Sequence, residues 1–265
     1  MKYGITTGAL YGRLETPDAL AFLRDSGLCE CAEVFFQCPD DYRGQYRKSI
    51  EDAARGLDIV SFHMLSASLE FILFSKSIHG RAYALREISD AIHFARDLGA
   101  KRYVFHGRNR LLGAINGKVS LANPDTVAEA LSPIADELER CGMVLALENV
   151  SWSEFSCPQF ASLIAEKLPK IRFTFDNKQA VRAGYDYHEY LDAMGSRLDH
   201  VHVYDYDAAG HECLPGAGNL DFARLAAELR AMNYDGAVII EAYPQMFKDK
   251  QELLTALEYL KKTMG

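Results

Sequence analysis

The sequence predicts an α/β fold, a closed barrel of eight parallel strands each followed by a helix, and three observations carry that prediction. Strand-like apolar runs alternate with amphipathic helical stretches along all 265 residues. The runs number eight. The residues that close them are mostly carboxylates and imidazoles, and such barrels carry their chemistry at the C-terminal ends of the strands. The length is close to the ~250 residues typical of one such barrel.

The eight predicted strands are residues 3–7, 31–36, 58–65, 102–107, 144–150, 172–177, 200–206 and 237–242. They are short, rich in Val, Ile and Phe, and lack strict polar alternation, which implies burial on both faces. Between them, apolar residues recur in steps of three and four. One stripe is Ile78, Ala82, Leu85, Ile88, Ile92, Ala95 and Leu98; others are Val127, Leu131, Ile134, Leu138 and Phe222, Leu225, Leu229, Met232. Gly99 and Gly142 stand where helix C-terminal caps belong, and Pro17-Asp18 and Pro124-Asp125 suit helix starts. No proline-rich or low-complexity stretch divides the chain, so residues 1–265 read as one domain. An open doubly wound sheet is disfavoured, because Gly4 and Gly8 do not make a GxGxxG phosphate loop after the first strand.

Composition narrows the function. Hydrophobic residues make up 49% and charged residues 25%, as in a soluble globular protein with a sizeable core. A net charge of −8 argues against nucleic acid as a partner. Met1-Lys2 leads directly into the first strand, so no secretory leader is expected. No apolar run approaches the ~18 residues of a membrane span. The six cysteines form no CxxC pair, which points to reduced thiols and a cytoplasmic protein.

Six strand ends carry a potential ligand: His63, His106, Glu148, Asp176, His202 and Glu241. Glu148, Asp176, His202 and Glu241 are 28, 26 and 39 residues apart, roughly one strand-plus-helix unit each. Three carboxylates and one imidazole converging on one barrel mouth would repel without a cation among them. With one, they form a ligand set for Mn2+, Mg2+, Co2+ or Zn2+.

The segments Leu147-Glu148-Asn149-Val150, Phe173-Thr174-Phe175-Asp176-Asn177-Lys178-Gln179-Ala180, His200-Val201-His202 and Ile240-Glu241 resemble the xylose isomerase-like TIM-barrel superfamily. That group includes sugar phosphate isomerases/epimerases, ketose 3-epimerases, hydroxypyruvate isomerase, inosose dehydratase and apurinic endonucleases. The run from His211 through Pro215-Gly216-Ala217-Gly218 to Asp221-Phe222 looks like the family's loop after strand seven. The resemblance implies one metal on Glu148, Asp176, His202 and Glu241. It also implies that Glu148 and Glu241 flank the substrate carbon and pass a proton through a metal-stabilised enediolate.

Substrate contacts are expected at His63, His106, Lys178, Gln179, His211 and Glu154. For Glu154 the competing reading is a solvated loop carboxylate, and for His63 and His106 it is a second metal or a structural role. Lys178 is favoured among the basic residues because it follows the Asp-Asn end of strand six; Arg108, Arg110 and Arg182 equally fit surface ion pairs. Trp152 and Phe155 offer an apolar wall. His200 reads as a hydrogen-bonded core histidine, and His79, His93 and His188 as solvated surface groups.

Two departures from the family pattern limit the substrate assignment. Gln179 stands where a histidine is common, and Ala208 stands where the epimerases place an arginine. The leading expectation is a sugar or sugar-phosphate isomerase/epimerase with a small-molecule partner. A keto-polyol dehydratase on the same site is the alternative. A zinc phosphodiesterase of the apurinic-endonuclease type would lack ligands at Gln179 and Ala209, and a non-catalytic sugar-binding barrel would not need the matched glutamates. The apolar segment 66–79 reads as a lid or as a homo-oligomer contact.

Overall fold

The computed structural model describes residues 1–65, 69–108 and 123–265. The strands are β1 (Lys2–Thr6), β2 (Cys31–Phe36), β3 (Ile59–Met64), β4 (Arg102–Phe105), β5 (Val144–Glu148), β6 (Arg172–Asp176), β7 (Leu198–Val203), β8 (Asp205–Tyr206), β9 (Glu212–Cys213) and β10 (Ala237–Ile240). The helices are α1 (Thr16–Asp25), α2 (Gly44–Ala54), α3 (Leu69–Leu73), α4 (Ile78–Asp97), α5 (Pro124–Arg140), α6 (Pro158–Lys167), α7 (Asn177–Ala183), α8 (Tyr187–Met194), α9 (Phe222–Ala231) and α10 (Gln251–Met264). Eight strands form a closed parallel barrel in the order β1-β10-β7-β6-β5-β4-β3-β2. The expected barrel is the observed one. The predicted strand 200–206 is really two pieces: β7 stops at Val203, and β8 pairs antiparallel with β9 in a separate hairpin.

The chain packs as two compact units, Met1–Phe62 with Asp199–Gly265, and His63–Leu198. In the first unit, β1 pairs in parallel with both β2 and β10, with Ile5 opposite Ala32 and Ile240. Gly4 permits that approach, since a Cβ there would lie 2.2 Å from the Cys31 carbonyl oxygen. β10 pairs with β7, placing Ile239 opposite His202. Arg13 ties two loops of this unit, donating from Nη1 to the Lys248 carbonyl at 2.8 Å and lying over the Phe247 ring.

In the second unit, β5 pairs in parallel with β4 and β6. Helices α4 and α5 bury the predicted faces: Ile88, Ile92 and Ala95, then Val127, Leu131, Ile134 and Leu138. Each such Leu or Ile truncated to Ala would cost about 2–5 kcal/mol. The α4 stripe does not extend to its first residue, because Ile78 is 77% exposed. Gly99 and Gly142 follow α4 and α5 with φ of +100° and +68°, the left-handed geometry expected of C-terminal caps. Among the described residues no helix is long and apolar enough to cross a membrane. All six cysteines are free thiols.

Candidate active site

In the second unit, β5 ends on Glu148 and β6 on Asp176, each 1% exposed. Asn149 braces the two ends. Its Nδ2 donates to the Asp176 carbonyl at 2.9 Å, and its Oδ1 accepts from the Asp176 N–H at 2.7 Å. Asp176 also caps α7, where Oδ1 accepts from the Gln179 N–H at 3.0 Å, while Oδ2 lies 3.2 Å from Lys178 Nζ. Lys178 is itself 1% exposed. The Gln179 side chain takes up the Ser151 backbone N–H and hydroxyl at 3.1 and 2.8 Å, so it braces the loop after β5.

His106 follows β4, with Nε2 3.2 Å from Glu148 Oε2 and Nδ1 3.6 Å from Glu70 Oε1. Its ring meets His63 edge-to-face at 5.5 Å, and Trp152 stacks over it at 6.4 Å with a 22° tilt. Glu70, on α3, was not singled out from the sequence. It is fully buried and accepts from Tyr103 Oη at 2.8 Å and from the backbone N–H groups of His106 and Gly107 at 2.9 and 3.0 Å. A lone carboxylate inside the apolar run Leu69-Glu70-Phe71-Ile72-Leu73 was the available signal. Of the segment 66–79, residues Ser66, Ala67 and Ser68 lie outside the described residues, as does Arg110. Phe71 is 50% exposed, and Phe74 packs beneath the Arg108 guanidinium at 4.8 Å.

The structure overturns the solvated reading of Glu154. Its side chain is 3% exposed, and burial pushes its carboxyl up to about 7, with the Arg108 charge pulling the other way. Arg108 Nε lies 3.5 Å from Glu154 Oε1.

In the first unit, His202 lies on β7 and Glu241 directly follows β10, with His202 Nδ1 3.6 Å from Glu241 Oε2. Behind His202 is a carboxylate the sequence reading missed, Glu33 in the middle of β2. Its Oε2 accepts from the Ser61 hydroxyl at 2.7 Å and lies 3.0 Å from His200 Nε2 and 3.2 Å from His202 Nε2. Glu33, His200 and His202 are all fully buried. His200 is the hydrogen-bonded core histidine expected. A charge within Ala32-Glu33-Val34-Phe35-Phe36 was the clue to Glu33.

Asp205, 1% exposed, organises the loop after β7. Its two oxygens accept from the backbone N–H groups of Tyr206, Gly216, Gly218 and Leu220, at 2.8 to 3.0 Å. His211 stands on the exposed hairpin, its side chain 79% exposed and 3.0 Å from Asp207 Oδ2. The hydrogen bonds His211 makes to Asp207 hold that carboxyl below its ordinary range. His93 and His188, expected at the surface, are partly exposed and paired with Glu137 and Asp186.

Buried carboxylate–imidazole clusters able to bind a cation are therefore present; Glu33, His200 and His202 form one wholly inside the first unit. The donor chemistry fits a divalent metal, since carboxylate oxygens and imidazole nitrogens are the ligands such ions take.

A family model described as xylose isomerase-like TIM barrel matches residues 20–263. Among solved structures, 3-keto-D-glucoside 4-epimerase, YcjR, from E. coli is 19% identical, with a TM-score of 0.79 over 99% of each chain. A D-tagatose 3-epimerase-like protein is 20% identical, with a TM-score of 0.79 over 100% of this chain and 97% of that one. D-psicose 3-epimerase from Clostridium cellulolyticum is 15% identical, with a TM-score of 0.77 over 100% and 99%. At such identities the likeness is one of fold. No curated protein matches the sequence.

Proposed function

The chain belongs to the xylose isomerase-like TIM-barrel family, and from that membership we propose that it is a divalent-metal-dependent isomerase or epimerase of a sugar or sugar phosphate. The observation that carries the proposal is a ligand-type side chain at the end of each of four consecutive barrel strands, three of them buried. In the order β10-β7-β6-β5, their C-terminal ends bear Glu241, His202, Asp176 and Glu148. Three carboxylates and one imidazole are the donor types a divalent cation takes. Similarity in fold to sugar epimerases favours the same chemistry. The substrate is a small molecule that enters from solution, and the free thiols suit a cytoplasmic site of action.

A bound Mn2+, Mg2+, Co2+ or Zn2+ would supply positive charge where an enediolate oxygen develops. Glu148 and Glu241 are the bases: one carboxylate removes the proton α to the carbonyl, and the other returns one to the opposite face or the neighbouring carbon. Asp176 and His202 complete the ligand set. His106, with Nε2 3.2 Å from Glu148 Oε2, holds Glu148 in place and with His63 contacts substrate hydroxyls. Trp152, stacked on His106, supplies the apolar wall. Lys178, Gln179 and Glu154 make the remaining contacts, and His211 closes from the exposed hairpin. The Gln179 side chain is engaged by Ser151, so the further ligand of a phosphodiesterase site is not available there.

Elemental analysis of protein purified without added metal should find about one divalent ion per chain. Incubation with ketoses in D2O should exchange the α-proton. Glu148→Gln should fold normally, bind the ion more weakly, and lose about 100- to 10,000-fold in turnover, the usual contribution of a general base. Retained activity in that variant rules out the proton-transfer role.

A further inference from the structure

We propose that Glu33 is the positioning residue that fixes the His202 tautomer, holding Nε2–H so that the imidazole meets the cation through Nδ1. The inference rests on the reading of His202 as a metal ligand and goes beyond it by naming the ligating atom and the residue that selects it.

Three donors converge on one oxygen of a fully buried carboxylate: the Ser61 hydroxyl at 2.7 Å, His200 Nε2 at 3.0 Å and His202 Nε2 at 3.2 Å. An ionised carboxylate only accepts, so both imidazole contacts are attractive only when Nε2 carries the hydrogen. A neutral imidazole protonated at Nε2 has its lone pair on Nδ1. On His202 that atom faces Glu241 Oε2 at 3.6 Å. A lone pair facing a carboxylate oxygen calls for positive charge nearby, which a bound cation would supply.

His200, two residues earlier on the same strand face, meets the same Glu33 oxygen from deeper in the barrel. Ser61, on β3, approaches that oxygen as well. The carboxylate is therefore held from several sides and cannot turn away from His202. An outer carboxylate of this kind both orients a ligating imidazole and raises its basicity. The rival arrangement, a separate ion held by Glu33, His200 and His202, would require both Nε2 atoms to be bare.

The test is 15N NMR of histidine-labelled protein, metal-free and after addition of Zn2+, alongside a Zn2+ competition titration of the wild type, Glu148→Gln and Glu33→Gln. The expected metal-free spectrum shows His202 protonated at Nε2 with a bare Nδ1, and Zn2+ shifts the Nδ1 resonance. Glu33→Gln should weaken Zn2+ binding about 10- to 100-fold, the usual effect of losing such a partner, and should loosen the tautomer preference. A bare Nε2, a doubly protonated ring, or a Zn2+-induced shift at Nε2 overturns the proposal. Two ions per chain with one on Nε2 overturns it in favour of the separate site. Binding present in the wild type and lost in Glu148→Gln upholds the four-ligand reading. With that established, unchanged affinity in a folded Glu33→Gln counts against Glu33 alone. No Zn2+ binding by the wild type overturns the metal reading and the Nδ1 ligation with it. Should Glu33→Gln fail to fold, the wild-type spectra decide the tautomer without it.

Discussion

Glu154 shows what burial does to one side chain. A carboxyl that ionises near 4.5 in the open chain is pushed up to about 7 in the fold, so the folded protein keeps the proton over a range where the unfolded chain has lost it. The neutral form therefore contributes stability that is fully present below about 4.5 and is lost as pH rises through about 7. The gap corresponds to roughly 3 kcal/mol. Glu154→Gln removes the titration. Urea unfolding of both proteins at about pH 5 and pH 8 should show the wild type losing more stability with rising pH than the variant. Parallel pH dependence would show that Glu154 stays charged in the fold. Glu70 is the contrasting case: it is equally buried, but two backbone N–H groups and a tyrosine hydroxyl satisfy its carboxylate.

At the scale of elements, the strand ends are braced by side chains bonded to neighbouring backbone. Asn149 joins β5 to β6, and Asp205 gathers the backbone N–H of Tyr206 and three more from the loop between β8 and α9. The turn at Gly218 leaves no room for a side chain, since a Cβ there would lie 2.2 Å from the Tyr206 carbonyl oxygen and 2.4 Å from Asp205 Oδ1. Asp205→Ala leaves several of those N–H groups unsatisfied and should destabilise the protein by about 2–4 kcal/mol. Limited proteolysis should then cut within 214–220. A variant as protease-resistant as the wild type would show that the loop is held by something else. Helix α3 sets one charged residue in an otherwise apolar segment. Its apolar residues suggested a lid or an oligomer contact, yet the residue on it that reaches His106 is the single charged one, Glu70.

For the whole molecule, a barrel with several buried acids and a net charge of −8 gains from a cation that binds only the folded state. Free metal at a hundredfold excess over Kd stabilises by about 2.7 kcal/mol, which for a chain of this size raises the melting temperature by roughly 5–10 °C. Stripping with EDTA should lower the melting temperature, and Mn2+, Mg2+, Co2+ or Zn2+ should restore it in the wild type but much less in Glu148→Gln. A melting temperature indifferent to chelation and to all four ions would remove the metal from the account.

The sequence by itself determined the barrel, the positions of its eight strands to within a few residues, and the candidate ligands Glu148, Asp176, His202 and Glu241 as strand-end groups. Those features are local: hydrophobic period, glycine caps, and a polar residue where an apolar run stops. Only the tertiary structure decided which other acids are buried. Glu33 and Glu70 each sit inside an apolar run, where a charge reads as an interruption, and their meaning depends on partners far along the chain: His200 and His202 for Glu33, Tyr103 and His106 for Glu70. Glu154 looked solvated because loop residues usually are; Arg108 and the packing around it made it a buried acid. Burial and hydrogen-bond partnership are properties of the folded chain, and no spacing in the sequence encodes them.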